Sequence, residues 1–430
     1  MLGQTAITTL PNGCRIVTSE MPGTESISVC FDAGTGGRAE TLSESGYSHF
    51  LEHMLFKGSG KRRSTKAISQ PVEERGGQVN AYTSAEHTCF YARAPFDAAA
   101  LTVDVLGDLY RDPLLAAKEI ERERKVVFEE IKMYHDDDAA FASDLSLLAL
   151  WPRHPLGRPI LGSEASLLRA TSDSLRAYHD AKYSARGTII AAAGKVSHER
   201  FVDMVLPIAE RLPKGPAPRF SPASRAPAPE PLVSEARETQ QVQAVLSFRA
   251  FRYDDPRKSA MSVLDYVLGG GLTARLFMSV RERHGMAYSI SSSPTYFSDT
   301  GCFQIYAGLD PRRSVAAMDL CAKELRRIAR EPIGKAELRR AKNAIIGAQR
   351  MAGETSSSQM AWIRDKVRNL GFIETHQEVI DRISAVTADE VQALAAELFR
   401  PEAVSVALVL PREGVASPEA HAEALRAGMR

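Results

Sequence analysis

The chain repeats itself, and that constrains its fold more than any local signal does. The run beginning at Phe248 (FRA) echoes the run at Phe31 (FDAG), an offset of 248 − 31 = 217. The run at Cys302 (CFQIYAGLDP) echoes that at Cys89 (CFYARAPFD), 302 − 89 = 213. The run at Glu337 (ELRRAKNAII) echoes Glu121 (ERERKVVFEE), 337 − 121 = 216, and Asp389 (DEVQALAAELF) echoes Asp173 (DSLRAYHDAKY), 389 − 173 = 216. One echo alone carries no weight. Four in one order at nearly one offset imply a duplicated domain, and because strand-like and helix-like runs both recur, the unit duplicated is α+β.

Between the copies, residues 213–231 hold seven of the chain's 23 prolines. Such a segment builds no core and reads as a stiff tether reaching about 60 Å when fully extended. The expected organisation is a first domain over 1–212, a linker over 213–231 and a homologous second domain over 232–430. A chain of 430 residues is too long for one hydrophobic core in any case.

Within the first copy, residues 6–20 read as a hairpin about Pro-Asn-Gly, followed by an alternating strand, SISVCFDAG. Residues 76–95 suggest one or two paired strands. Residues 96–134 turn helical, in two helices broken near Asp112-Pro113. A helix over 172–183 leads into TIIAAAG, a short buried strand.

Composition excludes several classes. Hydrophobic content of 44%, charged content of 25% and formal net charge +1 describe an ordinary globular chain with no call on nucleic acid or an anionic membrane. The start, MLGQTAITTLPNGCRIV, lacks a basic region and an unbroken apolar stretch, and no apolar run approaches membrane-spanning length. Five scattered cysteines without a C-x-x-C pair argue for reduced thiols, against a cysteine metal site, and for a cytoplasmic location.

The chemistry-bearing stretch is SHFLEHMLFKG, residues 48–58. It reads as one helix closing at Gly58, a residue suited to a left-handed C-cap. At 100° per residue, with His49 at zero, Glu52 falls at about −60° and His53 at about +40°, so the three share a face. Two imidazoles at i and i+4 can grip one tetrahedral metal ion, and the carboxylate between them is placed to accept a proton from an attacking water. The bland alternative is a buried helix that happens to carry two histidines. Adding 217 to 49 and 53 gives Tyr266 and Gly270, so the second copy lacks this pair and should do something else.

A catalytic zinc site generally has three protein ligands. Candidates for the third lie on the helix over 117–134, where Ile120, Val127, Ile131 and Tyr134 define the expected buried stripe. Glu123 and Glu130, one heptad apart, fall within or beside it, whereas Glu119, Glu121 and Glu129 face water. Carboxylates on an apolar face are costly unless a positive partner meets them, which favours Glu130 as a ligand. His87, in a strand-like run, is the rival and reads rather as a structural or supporting histidine.

With HFLEH at 49–53 and a glutamate 77 residues further on in ERKVVFEE, the sequence resembles the inverted-motif zinc peptidases of the pitrilysin and insulin-degrading-enzyme family. It is most similar to the short-chain branch that includes the β subunit of mitochondrial processing peptidase and its bacterial relatives. The resemblance runs nearly end to end through GGQVNAYTSAEHT, the proline tether, LGGGLTARLF and RERHGMAYSISS. It implies two homologous α+β domains, each a mixed, mainly antiparallel sheet packed with helices, forming half of a clamshell. It implies one Zn2+ per chain on His49, His53 and Glu130, Glu52 as general base, and Glu123 supporting the site. Asn80 and Ala81 would pair with substrate backbone, and Arg281 and Tyr288 would reach the scissile carbonyl. It further implies a zinc-dependent endopeptidase cleaving extended or unfolded peptides in a chamber formed by two chains, as a homodimer or with a related chain. The alternatives are a noncatalytic scaffold subunit, or a catalytic subunit active only beside an unlike partner.

Overall fold

A computed structural model describes residues 3–226 and 228–430. Met1, Leu2 and residue 227 of the expected linker lie outside the described residues. Two compact units result. Unit 1 is Met1–Ile131, Pro159–Ser221 and Met351–Glu374; unit 2 is Lys132–Arg158, Pro222–Arg350 and Thr375–Arg430.

Unit 1 is built on six strands: β1 (Thr5–Thr9), β2 (Arg15–Glu20), β3 (Ser26–Ala33), β4 (Gln78–Thr83), β5 (Thr88–Pro95) and β6 (Thr188–Gly194). They lie in the order β1-β2-β6-β3-β5-β4. Only β2 and β6 run parallel; the other pairings are antiparallel. The expected hairpins and the TIIAAAG strand are all present, the latter buried throughout, as a continuous apolar run should be.

Unit 2 has β7 (Leu232–Arg237), β8 (Val242–Ala250), β9 (Ala287–Tyr296), β10 (Gly301–Leu309) and β11 (Ser405–Pro411), in the order β7-β11-β8-β10-β9. Matching β2, β6, β3, β5 and β4 to these in turn gives the same order, including the single parallel pair, β7 with β11. The fold is therefore two mixed, mainly antiparallel sheets packed with helices.

Each sheet has a helix on one face that chain order assigns to the other half. The helix Ser356–Leu370 sits on unit 1, where Met360, Ile363 and Val367 are buried against Val17, Cys30, Cys89 and Ile189. The helix Asp138–Leu150 sits on unit 2, where Ala142 is buried against Val245, Ala407 and Val409. Three described residues of the proline-rich segment, Pro216, Ser221 and Ala223, are engaged by hydrogen bonds. Arg38 donates to the Ser221 carbonyl at 2.8 Å and Ser184 to the Pro216 carbonyl at 2.8 Å in unit 1, while the Ala223 amide donates to Asp299 in unit 2. No helix among the described residues is long and apolar enough to cross a membrane.

Candidate metal centre

The histidine helix runs Tyr47–Leu55 and buries Phe50, Leu51, Met54 and Leu55 in the unit 1 core. Its start is defined by backbone that only glycine tolerates. Gly46 sits at φ +89°, and a Cβ there would lie 2.5 Å from the Leu161 carbonyl oxygen and 3.0 Å from Gly162 Cα. The buried carboxylate of Glu40 caps the first turn, accepting from the Gly46 amide at 2.8 Å and the Ser48 amide at 2.7 Å. The end differs from the sequence expectation. The C-cap is Phe56, in right-handed helical conformation, and Gly58 lies beyond it at φ +142°, so Gly58 closes no helix.

The carboxylate helix runs Ala117–Asp136 and buries Ile120, Glu123, Arg124 and Val127. Arg124 donates to the carbonyls of Ala170 (2.7 Å) and Leu167 (3.1 Å), fixing the rotation of the helix about its axis. The stripe is shorter than periodicity suggested. Ile131 is half-buried and Tyr134 is 45% exposed, because the core ends before the last helical turn.

Fixed in this way, the two helices bring three ligand atoms together. Glu130 Oε1 lies 3.6 Å from His49 Nε2 and Glu130 Oε2 lies 3.5 Å from His53 Nε2. One ligand atom from each of the three residues falls within 4.8 Å of the others, the only such group of three or more found among the described residues. Ligands about 2.1 Å from a tetrahedral zinc would be about 3.4 Å apart, close to the separation of each Nε2 from its nearest Glu130 oxygen. The outward nitrogen of His53 is committed as well. Its Nδ1 bonds Glu123 Oε1 at 2.9 Å, which leaves Nε2 free to donate an electron pair, and Glu123 Oε2 is paired with Lys57 Nζ at 2.7 Å. His49 Nδ1 is buried without a hydrogen-bond partner.

Electrostatics agree with a site built for a cation. Burial, with the neighbouring His53, brings the His49 pKa down to about 3, so the ring is neutral and available as a ligand. Burial also opposes charge on His53, but the Glu123 hydrogen bond and the nearby carboxylates of Glu130, Glu123 and Glu52 outweigh it and raise its pKa. Burial raises Glu130, and it raises Glu52 against the pull of Thr83 and His53. Burial would raise Glu123 too, yet its bonds to His53 and Lys57 prevail and keep it below the usual range. A half-buried group of carboxylates around two imidazoles is costly alone and is relieved by a divalent ion.

The remaining residues of interest divide cleanly. Glu52 is held by Thr83, whose Oγ1 donates to Glu52 Oε2 at 2.6 Å. Asn80 and Ala81 stand on β4, the terminal strand of the sheet, and Asn80 Oδ1 accepts from the Ala81 amide at 2.8 Å. His87 belongs elsewhere: its Nδ1 bonds the buried Asp32 at 2.9 Å, and Asp32 also receives Arg368. Arg281 and Tyr288 lie in unit 2, with the guanidinium 5.8 Å from the Tyr288 ring, 4.9 Å from the Phe277 ring, and Tyr288 73% exposed. Arg281 lies in a π-helical stretch, Phe277–Arg283, a geometry frequent at functional sites. Sequence reasoning missed Thr83, Lys57 and Glu40. Lys57, four residues after His53, carried a signal in its spacing; Thr83 and Glu40 act across chain distance and carried none.

The fold is a doubled α+β one, and its first half brings two imidazoles and a glutamate close enough together to form a candidate metal site. The chain belongs to peptidase family M16. Residues 15–164 match the family model described as insulinase (peptidase family M16), and residues 169–345 match that of the peptidase M16 inactive domain. It is 37% identical over 396 residues to an uncharacterized zinc protease of Mycobacterium tuberculosis, covering 91% of this chain and 90% of that one. It is 34% identical to the uncharacterized zinc protease YmxG of Bacillus subtilis, covering 94% and 97%. Its fold is that of a peptidase M16 inactive domain structure from Pseudomonas fluorescens and of a protease from Helicobacter pylori. Each aligns with a TM-score of 0.89 at 18% identity, over 96% of this chain and all of the other.

Proposed function

We propose that this chain is a zinc-dependent endopeptidase acting on extended or unfolded peptides. The observation that carries the reading is the convergence of His49 Nε2, His53 Nε2 and Glu130 at 3.5 and 3.6 Å, with the Glu52 carboxylate on the same helix face. Zinc protease is the name given to the relatives that cover most of the chain. In this reading His49, His53 and Glu130 hold one Zn2+, which supplies Lewis acidity toward a water and a peptide carbonyl. Glu52, its pKa raised by burial, accepts the proton of the attacking water and returns it to the leaving amine. Glu123 is the supporting acid that holds His53 in the required tautomer. The terminal strand β4, at Asn80 and Ala81, offers backbone to an extended peptide, which favours peptides over other hydrolysable substrates. Arg281 and Tyr288 complete the site toward the carbonyl, in a dimeric chamber formed with a second copy or a related chain.

The decisive test is Glu52→Gln on the full chain. It should retain one zinc per chain and lose at least about a thousandfold in turnover of an internally quenched peptide, at the upper end of general-base effects. Wild-type turnover in that variant would refute the base assignment. A wild-type chain that binds no zinc would return it to the noncatalytic alternative.

A further inference from the structure

The hydroxyl that holds Glu52 comes from the strand that in the reading above receives the substrate. β4 alternates exposed and half-buried residues: Gln78, Asn80 and Tyr82 are the more exposed, while Val79, Ala81 and Thr83 are half-buried on the face from which Thr83 meets Glu52 of the histidine helix. Val79 and Ala81 pack on the core beneath that helix. Thr83, two residues beyond Ala81 on the same face, reaches past them to Glu52 Oε2. Its position is set by the tight hairpin that follows, in which the Ser84 amide donates to the His87 carbonyl at 2.8 Å, and by its place opposite Thr88.

A glutamate's last torsion is broad, so packing of its stem does not fix the carboxylate plane. A 2.6 Å hydroxyl-to-carboxylate bond is in the short, charge-assisted class and does fix it. With Oε2 held, Oε1 is left for the proton transfer. The donor is a β-branched side chain with restricted χ1 on a paired strand, so the constraint is stiff. A substrate added to the open edge of β4 is thus linked through one hydrogen bond to the group that must take the proton, and a proton-transfer geometry tolerates little misplacement.

We propose that Thr83 is a positioning residue for the hydrolytic step: it orients Glu52 and couples peptide docking on β4 to the base. The proposal rests on the reading of Glu52 as general base. Nothing in it requires Thr83 to touch substrate or metal.

The experiment compares Thr83→Val, which keeps shape and strand preference, with Thr83→Ser, which keeps the hydroxyl, in the full chain. Thr83→Val should lower kcat by about 10- to 100-fold, leave KM within about twofold and keep one zinc per chain; Thr83→Ser should recover most of kcat. A readout independent of turnover is binding of an uncleaved peptide. Its Kd should be the same, within about twofold, for Glu52→Gln and for Glu52→Gln/Thr83→Val. Wild-type kcat in Thr83→Val, equal loss in the serine variant, or a Kd that weakens as much as kcat/KM falls would each overturn the positioning role. Glu52→Gln alone separates the two claims. If it retains turnover, the base reading fails and takes this proposal with it. If it is inactive while Thr83→Val is normal, only the Thr83 assignment fails.

Discussion

The two units carry the same device with different endings. The histidine helix Tyr47–Leu55 corresponds to Lys258–Leu268, and their last residues set the offset at 268 − 55 = 213. By that offset Leu51 and Glu52 match Leu264 and Asp265, while His49 and His53 match Ser262 and Tyr266 rather than the positions given by 217. Both acids accept a hydroxyl from the terminal strand of their own sheet: Thr83 to Glu52 at 2.6 Å, and Ser292 on β9 to Asp265 at 2.6 Å. The bond between helix carboxylate and strand hydroxyl is thus part of the fold and does not depend on a metal. What unit 1 adds is two imidazoles and a facing helix with Glu123 and Glu130. In unit 2 the helix Lys335–Met351 holds one acid, Glu337, and Arg275 engages it at both oxygens. The candidate metal ligands are a small addition to a scaffold that both units share.

Exchanging the endings is the strongest way to break this comparison. Replacing His49 and His53 with the residues of unit 2, as His49→Ser/His53→Tyr, should abolish zinc binding measured by elemental analysis, while circular dichroism shows the same fold. Retained zinc would mean that the ligands lie elsewhere. The roles assigned to the two units can be tested by mixing Arg281→Ala chains with Glu52→Gln chains under conditions of proven subunit exchange. If Arg281 serves the zinc centre of a partner chain, activity returns to about a quarter of wild type, the share expected for one intact site among randomly paired dimers. No recovery would confine Arg281 to its own chain.

Smaller effects sharpen the picture. Glu123→Gln should weaken zinc affinity by about 10- to 100-fold in chelator competition, because His53 loses its charged support; unchanged affinity would make Glu123 merely a packed acid. In unit 2, burial raises Asp265 to about 6, against the pull of Ser292. The folded chain then holds a proton that the unfolded chain releases above about pH 4. This contribution is full at low pH and is lost as pH rises through about 6. Asp265→Asn should therefore stabilise the protein at pH 8 by roughly 1 to 3 kcal/mol and flatten the loss of stability between pH 4 and 6, read from Tm. A destabilised variant at pH 8 would show that the ionised carboxylate is the favoured form.

Much of this was written in local pattern. Alternation marked β3, an unbroken apolar run marked β6, helical spacing placed His49, Glu52 and His53 on one face, and a heptad placed Glu123 beside Glu130. Those features are legible because neighbours along the chain set them. The full extent of the apolar stripe was not legible, since Tyr134 lies past the point where the core ends. Nor was the exchange of helices, since the apolar faces of Asp138–Leu150 and Ser356–Leu370 do not name the sheet they cover.

Periodicity and repetition by themselves determined that the chain is a doubled α+β protein with two imidazoles and a carboxylate on one early helix, because 3.6-residue spacing and a near-constant offset require no partner to read. Only tertiary structure decided that Glu130 closes on both histidines, that Glu123 and Lys57 brace one of them, and that Thr83 holds Glu52. Those contacts join residues 31 to 81 positions apart in sequence, and the packing of helix against helix and strand sets distances that no one-dimensional pattern contains.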